Sequence, residues 1–279
     1  MIKGAITAWT ASLIIGGLTA LSEPARAENV TECVGTFCYC VRSEMRDPIQ
    51  KKVQEIRSRI DAEKAKGKVV GYLSIPISTI AGSYFGENVK VAAEIKERVE
   101  SGFGPKAAWL LDSAGPEVSL PSGANGAEYM LMWTNVLAGP DGLGAFDFVY
   151  FTGPSDFAYH FGLDGHDDLT KLDQYYDSAS KTDPGLKAVS KKEFRAYYGI
   201  GASVTYSYGS HDEWDIVRSI KEARRKLDEK TTADKQKVGI AIQMGVYFDG
   251  QAVAPGLFET GIAAGNAGKC AAPDDTKTR

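Results

Sequence analysis

The chain has 279 residues, of which 43% are hydrophobic, and a formal net charge of −4. This length and apolar content suffice for one large domain with a full hydrophobic core. An acidic protein repels the phosphate backbone of nucleic acids, so we expect no nucleic-acid partner.

The first 27 residues have the three parts of a cleavable secretory signal peptide. Lys3 supplies the positive charge, a mostly apolar stretch runs from about 5 to 21, and Ala25-Arg26-Ala27 forms an A-x-A cleavage site. A membrane span would need about 20 apolar residues, and this stretch is shorter and interrupted. We therefore predict a mature chain that begins near Glu28, is periplasmic or secreted, and makes no membrane contact after cleavage.

Four cysteines, all beyond the predicted cleavage site, indicate disulfide bonds in an oxidising compartment. Cys33, Cys38 and Cys40 lie close together, whereas Cys270 lies near the end of the chain. We expect one local bridge and one bridge that ties the N-terminal segment to the C-terminus. Three pairings are open, although direct pairing of Cys38 with Cys40 is too tight to favour. A cysteine metal site is disfavoured because C-x-x-C spacing and nearby histidines are missing, so we expect no metal.

Hydrophobic periodicity after the cysteine-rich segment predicts alternating helices and strands. Helices are predicted at 41–66 (after Pro48), 88–100, 126–139, 155–163, 168–178, 211–230 and 255–268. Strands are predicted at 69–78, 107–114, 146–153, 203–208 and 237–248. The strands are continuous apolar runs, which is typical of a parallel sheet buried on both faces.

The predicted fold is therefore a three-layer α/β domain, Rossmann-like or flavodoxin-like, with a mainly parallel sheet flanked by helices. We divide the chain into the signal peptide (1–27), a cysteine-containing segment with a charged helix (28–66), one α/β domain (67–270) and a flexible tail (271–279). A polar stretch at about 164–200 is expected as an insertion over one end of the sheet.

Ligands of open parallel sheets bind beyond the carboxyl ends of the strands. The polar or turn-forming residues expected there are Ser74, Pro76, Asp112, Asp156 and Asp249. Dinucleotide and Walker-type glycine motifs are missing from the sequence, and we expect no cofactor. A small-molecule ligand is the partner that this edge of the sheet favours, and the sequence leaves the oligomeric state open.

Other arrangements of polar residues carry weaker predictions. The sequence has no G-x-S-x-G nucleophile elbow. His160 lies in an aromatic-rich predicted helix, where a packed histidine is more frequent than a catalytic one. The acidic stretch 164–168 lacks EF-hand spacing, so a polar turn is favoured over a calcium site. Glu259 is more notable, because it stands in the otherwise apolar, glycine-rich stretch 255–268, where a buried charge must be paired or functional.

Two segments resemble the nucleoside 2-deoxyribosyltransferase family. Tyr72-Leu73-Ser74-Ile75-Pro76 is similar to the Tyr-Leu-Ala-x-Pro turn after that family's first strand. Residues 256–263 (GLFETGIA) are similar to its nucleophile segment, G-T-A-x-E-x-G-x-A, with one residue fewer between the glycine and the glutamate. The resemblance makes Glu259 the nucleophile and places Gly261 at the substrate.

The resemblance implies cleavage or transfer of N-glycosidic bonds in nucleoside-like substrates. Tyr72 would orient the carboxylate, and Asp249 or Asp156 would hold the base or assist its protonation. Ser74, Pro76 and Asp112 would contribute to substrate binding. The alternative is a non-catalytic periplasmic binding protein that keeps an enzyme fold. A hydrolase of another class that uses Asp156 with His160 is a third hypothesis, without a motif behind it.

Overall fold

The computed structural model describes residues 28–77, 82–104, 106–233, 244–253 and 265–271. The first of these ranges begins with an antiparallel hairpin. Strands β1 (Asn29–Val34) and β2 (Phe37–Arg42) form it. The sequence prediction missed both strands, and its charged helix within 41–66 corresponds to α1 (Arg46–Ala65). The hairpin packs on helix α3 (Gly126–Ala138), where Arg42 Nε donates to Glu128 Oε1 over 2.7 Å.

A five-stranded sheet in the order β4-β3-β5-β6-β7 forms the middle layer. Its strands are β3 (Val69–Ser74), β4 (Ala108–Asp112), β5 (Phe148–Phe151), β6 (Gly245–Phe248) and β7 (Gln251–Ala252). The first four pair in parallel, and β7 turns back antiparallel to β6. The prediction of a three-layer α/β fold with a mainly parallel sheet is confirmed.

Helices cover both faces of this sheet. The helices besides α3 are α1 (Arg46–Ala65), α2 (Phe85–Phe103), α4 (Pro154–Phe161), α5 (Asp168–Ala179), α6 (Pro184–Lys187), α7 (Lys191–Gly199) and α8 (Tyr208–Ala233). Helices α1, α3 and α8 enclose one core with one face of the sheet. Helices α2, α4, α5, α6 and α7 enclose a second core with the other face.

The stretch 164–200 belongs to that second core rather than forming only a polar cap over the sheet. Leu172, Leu186 and Phe194 are fully buried in it and pack with Phe157 of α4. The polar residues that dominate the sequence of this stretch lie on the outer faces of its helices. The prediction of a helix near 168–178 is confirmed by α5.

One predicted element differs from the structure, and another lies mostly outside the described residues. Residues 203–208 were expected as a strand but form a 3-10 turn at Val204–Tyr206 and the start of α8. Ser203 Oγ accepts from the Thr205 amide over 3.3 Å, a local bond that favours a turn over a strand. Most of the helix predicted at 255–268 lies outside the described residues, and the described end of it, 265–268, is irregular.

Among the described residues, none of the helices is both long and apolar enough to cross a membrane.

Candidate functional site

A cavity of about 330 Å³ opens near the carboxyl ends of β3 and β4. Helix α3, the start of α2 and the start of α8 surround it. Its walls are mainly apolar and aromatic, with Ile75, Phe85, Tyr129, Met130, Trp133 and Tyr208 among the lining residues. We call this the Glu213 pocket, after the carboxylate that α8 contributes to its lining. Its position agrees with the rule that parallel sheets bind ligands at the carboxyl ends of their strands.

Both carboxylate oxygens of Glu213 are held by hydroxyl groups from β3. The Tyr72 hydroxyl donates to Glu213 Oε1 over 2.5 Å, and Ser74 Oγ donates to Oε2 over 2.5 Å. Tyr72 and Ser74 are fully buried, and Glu213 is only 5% exposed. The carboxylate is therefore fixed in position and largely shielded from solvent.

The alternation of side chains along β3 produces this arrangement. Tyr72 and Ser74 are two residues apart, so they point to the same face of the sheet, while Leu73 points to the other. The Tyr72 ring packs edge-on against Trp133 of α3, with 5.3 Å between the ring centres. Glu213 then meets both hydroxyls from α8, which covers the same face of the sheet as α3. The strand and the two helices together fix each partner.

Burial raises the pKa of Glu213 to about 7, even though the hydrogen bonds from Ser74 and Tyr72 favour the ionised form. The neighbouring charge of Asp212 adds to the increase. Burial also raises the pKa of Tyr72 well above its ordinary value, so this side chain stays a hydroxyl donor. A carboxyl group that titrates near neutral pH in a cavity is a candidate for chemistry.

Asp212 fixes the C-terminal segment beside the pocket. Its two carboxylate oxygens accept from the backbone amides of Gly265 and Asn266 over 2.7 and 2.6 Å. Asn266 lines the Glu213 pocket. The same segment is joined to the hairpin by the Cys40–Cys270 disulfide. Residues from both ends of the described chain thus support one wall of the cavity.

The two expected kinds of disulfide are both present. Cys33–Cys38 is the local bridge within the hairpin, and Cys40–Cys270 joins the N-terminal segment to the C-terminal one. The pairing that the sequence left open is therefore settled as 33–38 and 40–270.

Two of the predicted site residues, Tyr72 and Ser74, meet at Glu213. Pro76 lies just beyond them, and its carbonyl accepts from Asn88 Nδ2 over 2.7 Å. Asp112 points to the opposite face of the sheet, since it pairs in register with Leu73. Its Oδ1 accepts from the Ala114 amide over 2.8 Å, which is a turn-stabilising bond. The predicted nucleophile Glu259 and the neighbouring Gly261 lie outside the described residues.

Asp156 and Asp249 lie at a different cavity, of about 510 Å³, which shares no lining residue with the Glu213 pocket. Asp156 is buried and pairs with Arg98 and with the Tyr150 hydroxyl. Asp249 accepts from the backbone amide and the hydroxyl of Ser155, each over 2.8 Å. The structure does not bring these two carboxylates to Tyr72. They hold the start of α4 instead, so the predicted cooperation of either one with Tyr72 is not seen.

Glu213 was not among the predicted site residues. It lies near the start of the amphipathic helix predicted at 211–230, directly after Asp212. The glutamate predicted as the nucleophile was Glu259, which stands in the apolar stretch 255–268. In the structure Asp212 and Glu213 are both buried.

Within the described ranges, no group of three or more histidine, cysteine, aspartate or glutamate side chains could hold a metal ion. Comparisons of the chain with protein-family models, with curated proteins and with solved structures found no match.

Proposed function

We propose that this protein cleaves N-glycosidic bonds of nucleoside-like substrates, with Glu213 as the nucleophile. The observation that carries the proposal is the carboxylate itself, which is buried in the pocket and held at both oxygens by Tyr72 and Ser74. A carboxylate fixed in this way can attack an electrophilic carbon without first reorganising its surroundings. Glu213 takes the role that the sequence resemblance gave to Glu259.

The reaction follows from carboxylate chemistry. An oxygen of Glu213 attacks the anomeric carbon of the sugar while the carbon–nitrogen bond breaks. The electron pair of that bond goes to the nitrogen of the base, which takes a proton from water. Water then attacks the same carbon and releases the sugar, its proton goes to solvent, and the carboxylate is restored. The net change is hydrolysis, and a second base in place of water gives transfer.

The shape and lining of the pocket suit this class of substrate. A volume of about 330 Å³ lies in the range of small-molecule sites. Trp133, Tyr129 and Phe85 offer aromatic surface to a flat base. Apolar walls with a few polar groups are also usual in such sites, because the polar groups fix the orientation of the ligand.

The test is an assay of the purified, oxidised protein against a panel of ribo- and deoxyribonucleosides, with release of the free base as the measurement. We expect cleavage of at least one nucleoside, and Glu213→Gln should lower kcat by about 10³-fold or more. Glu222→Gln is the matched control, since Glu222 lies on the same helix and pairs with Arg225 at the surface. It should keep full activity.

An intact panel, or equal activity of the wild type and Glu213→Gln, would reject the catalytic proposal. The alternative of a binding protein predicts that a nucleoside binds in the Glu213 pocket and is recovered unchanged. Calorimetry with the same panel distinguishes the two, because binding without turnover supports only the alternative.

We also propose that the protein works outside the cytoplasm. The two disulfides support this location, because such bonds persist in oxidising compartments. The predicted signal peptide at 1–27 points the same way. Amino-terminal sequencing of the exported protein should begin near Glu28, and recovery of the full-length chain from the cytoplasm alone would reject the proposal.

A further inference from the structure

Two serine hydroxyls of the Glu213 pocket are buried without a hydrogen-bond partner. Ser113 and Ser210 both line the cavity and are 5% and 3% exposed. Neither Oγ makes a hydrogen bond. Ser113 Oγ lies beside the Tyr72 hydroxyl and partly lowers the pKa of that group, which burial raises, although the two hydroxyls lack the geometry of a full hydrogen bond. Buried polar groups in folded proteins are nearly always paired, so two unpaired hydroxyls at one cavity call for a ligand.

Both serines line the same cavity as the nucleophile. Ser210 precedes Glu213 by three residues on α8, so the two side chains share a face of the helix. Ser113 directly follows β4, which pairs with β3, the strand that carries Tyr72 and Ser74. A rotation about one side-chain bond directs either hydroxyl toward the cavity.

We infer that the pocket selects a ribosyl substrate and binds its 2-hydroxyl through Ser113 and Ser210. This inference rests on the proposed function. In a β-nucleoside the nucleophile must approach the anomeric carbon from the face opposite the base. The ribose 2-hydroxyl projects from that same face, so it enters the cavity on the side of Glu213, where Ser113 and Ser210 also line the wall. A 2-deoxyribosyl substrate would leave both serine hydroxyls unpaired.

The energetic consequence is discrimination between the two sugars. The loss of a hydrogen bond between neutral groups weakens binding several-fold, and leaving a buried partner unpaired weakens it further. Bonds to the 2-hydroxyl also strengthen as positive charge develops at the anomeric carbon. The preference for ribose should therefore be about tenfold or greater in kcat/KM.

The experiment compares adenosine with 2′-deoxyadenosine, and cytidine with 2′-deoxycytidine, in the wild type and in Ser113→Ala and Ser210→Ala. We expect each variant to lose about tenfold in kcat/KM for the ribonucleoside and little for the deoxyribonucleoside. Ser210→Thr keeps the hydroxyl and should restore the preference for ribose. Far-ultraviolet circular dichroism and melting temperature establish that the variants fold.

Binding to Glu213→Gln, measured by calorimetry with the same nucleosides, separates this inference from the proposed function. If the wild type cleaves both sugars equally, or the preference survives in both alanine variants, the serine inference is overturned and the function stands. If nothing is cleaved but Glu213→Gln binds ribonucleosides more tightly in a serine-dependent way, the function is overturned and the inference stands. If nothing binds and nothing is cleaved, both are overturned.

Discussion

Glu213 combines a buried position with two hydroxyl donors, and its protonation controls the proposed reaction. Only the ionised carboxylate attacks carbon, and burial raises its pKa to about 7. We therefore expect kcat/KM to rise with pH and to level off above a midpoint near 7. Ser74→Ala removes a donor to the charged form and should move that midpoint upward. A profile that is flat or falls between about pH 5.5 and 8.5 would contradict this assignment.

The raised pKa of Glu213 also predicts that its ionised, buried carboxylate lowers the free energy of unfolding. The group titrates at about 4.5 in the unfolded chain and at about 7 in the folded one. Both forms are protonated in acid, so stability falls as the pH rises from about 4.5 to 7 and stays low above that range. Glu213→Gln should therefore stabilise the protein at about pH 8, by up to about 3 kcal/mol, and bring no gain at about pH 4. Urea unfolding at both pH values is the measurement, and an equal gain at both would contradict the ionisation argument.

At the scale of single residues, the sequence predicted two of the three residues of the hydrogen-bonded group, Tyr72 and Ser74, but not Glu213. Ser74 was predicted because it lies toward the carboxyl end of an apolar strand, and Tyr72 because its segment resembles a turn of a known family. Their partner Glu213 lies 139 residues beyond Ser74. It lies near the start of α8, where its burial, like that of Ser210, depends on how this helix packs rather than on local composition. A charge in a helix start has the same local pattern whether tertiary packing buries it or leaves it in water.

Helices α2, α4 and α5 are joined by a histidine placed between two glutamates. His160 Nδ1 lies 3.0 Å from Glu94 Oε1, and its Nε2 lies 3.2 Å from Glu87 Oε2. Tyr175 donates to the same Glu87 oxygen over 2.5 Å, and Lys90 pairs with Glu87 over 2.8 Å. Burial alone would lower the pKa of His160, but the two glutamates outweigh it and raise that pKa. The His160 ring therefore joins α4 to both glutamates of α2, and Glu87 joins the group to Tyr175 of α5.

This link predicts a pH-dependent stability. A histidine whose pKa is raised in the folded state adds its full contribution to stability when the pH is below its ordinary pKa of about 6.5. That contribution is lost as the pH rises through the pKa of the folded state. His160→Gln should cost about 1–3 kcal/mol at about pH 6, and the deficit should shrink toward about pH 9. The control is His166→Gln, since His166 is exposed. Thermal melts across this range give the measurement, and a deficit independent of pH would show that only packing was lost.

At the scale of elements, the helices and strands of the sheet followed their sequence patterns closely. Strand β5 was recognisable because all four of its residues are buried, which requires a continuous apolar run. The hairpin at 29–42 was missed because its strands mix polar residues with cysteines, and its stability depends on contacts with α3 and on two disulfides. The 3-10 turn at 204–206 was missed because Val204 and Tyr206 favour strands in isolation.

At the scale of the whole molecule, the Cys40–Cys270 disulfide links the N-terminal hairpin to the C-terminal segment. It spans 230 residues of sequence and joins β2 to the segment that carries Asn266 into the wall of the Glu213 pocket. Two hydrogen bonds from backbone amides accompany the disulfide. The Gly268 amide donates to the Cys38 carbonyl, and the Cys270 amide donates to Thr31 Oγ1. The ends of the domain therefore meet at the site, far from each other in sequence.

The length of the loop that Cys40–Cys270 closes predicts that this disulfide stabilises the protein much more than Cys33–Cys38 does. A disulfide stabilises the folded protein by restricting the unfolded chain, and the effect grows with the length of the loop that it closes. By this entropy argument Cys40–Cys270 adds roughly 5 kcal/mol to the free energy of unfolding and Cys33–Cys38 roughly 2 kcal/mol. The double variant Cys40→Ser/Cys270→Ser should therefore lose more free energy of unfolding than Cys33→Ser/Cys38→Ser. It should also raise KM for the nucleoside, because the segment that carries Asn266 keeps its bonds to Asp212 but loses its covalent link to β2. Urea unfolding and steady-state kinetics on both variants measure this. Equal losses of stability would contradict the predicted difference, and an unchanged KM would show that the long-range bridge does not support the pocket.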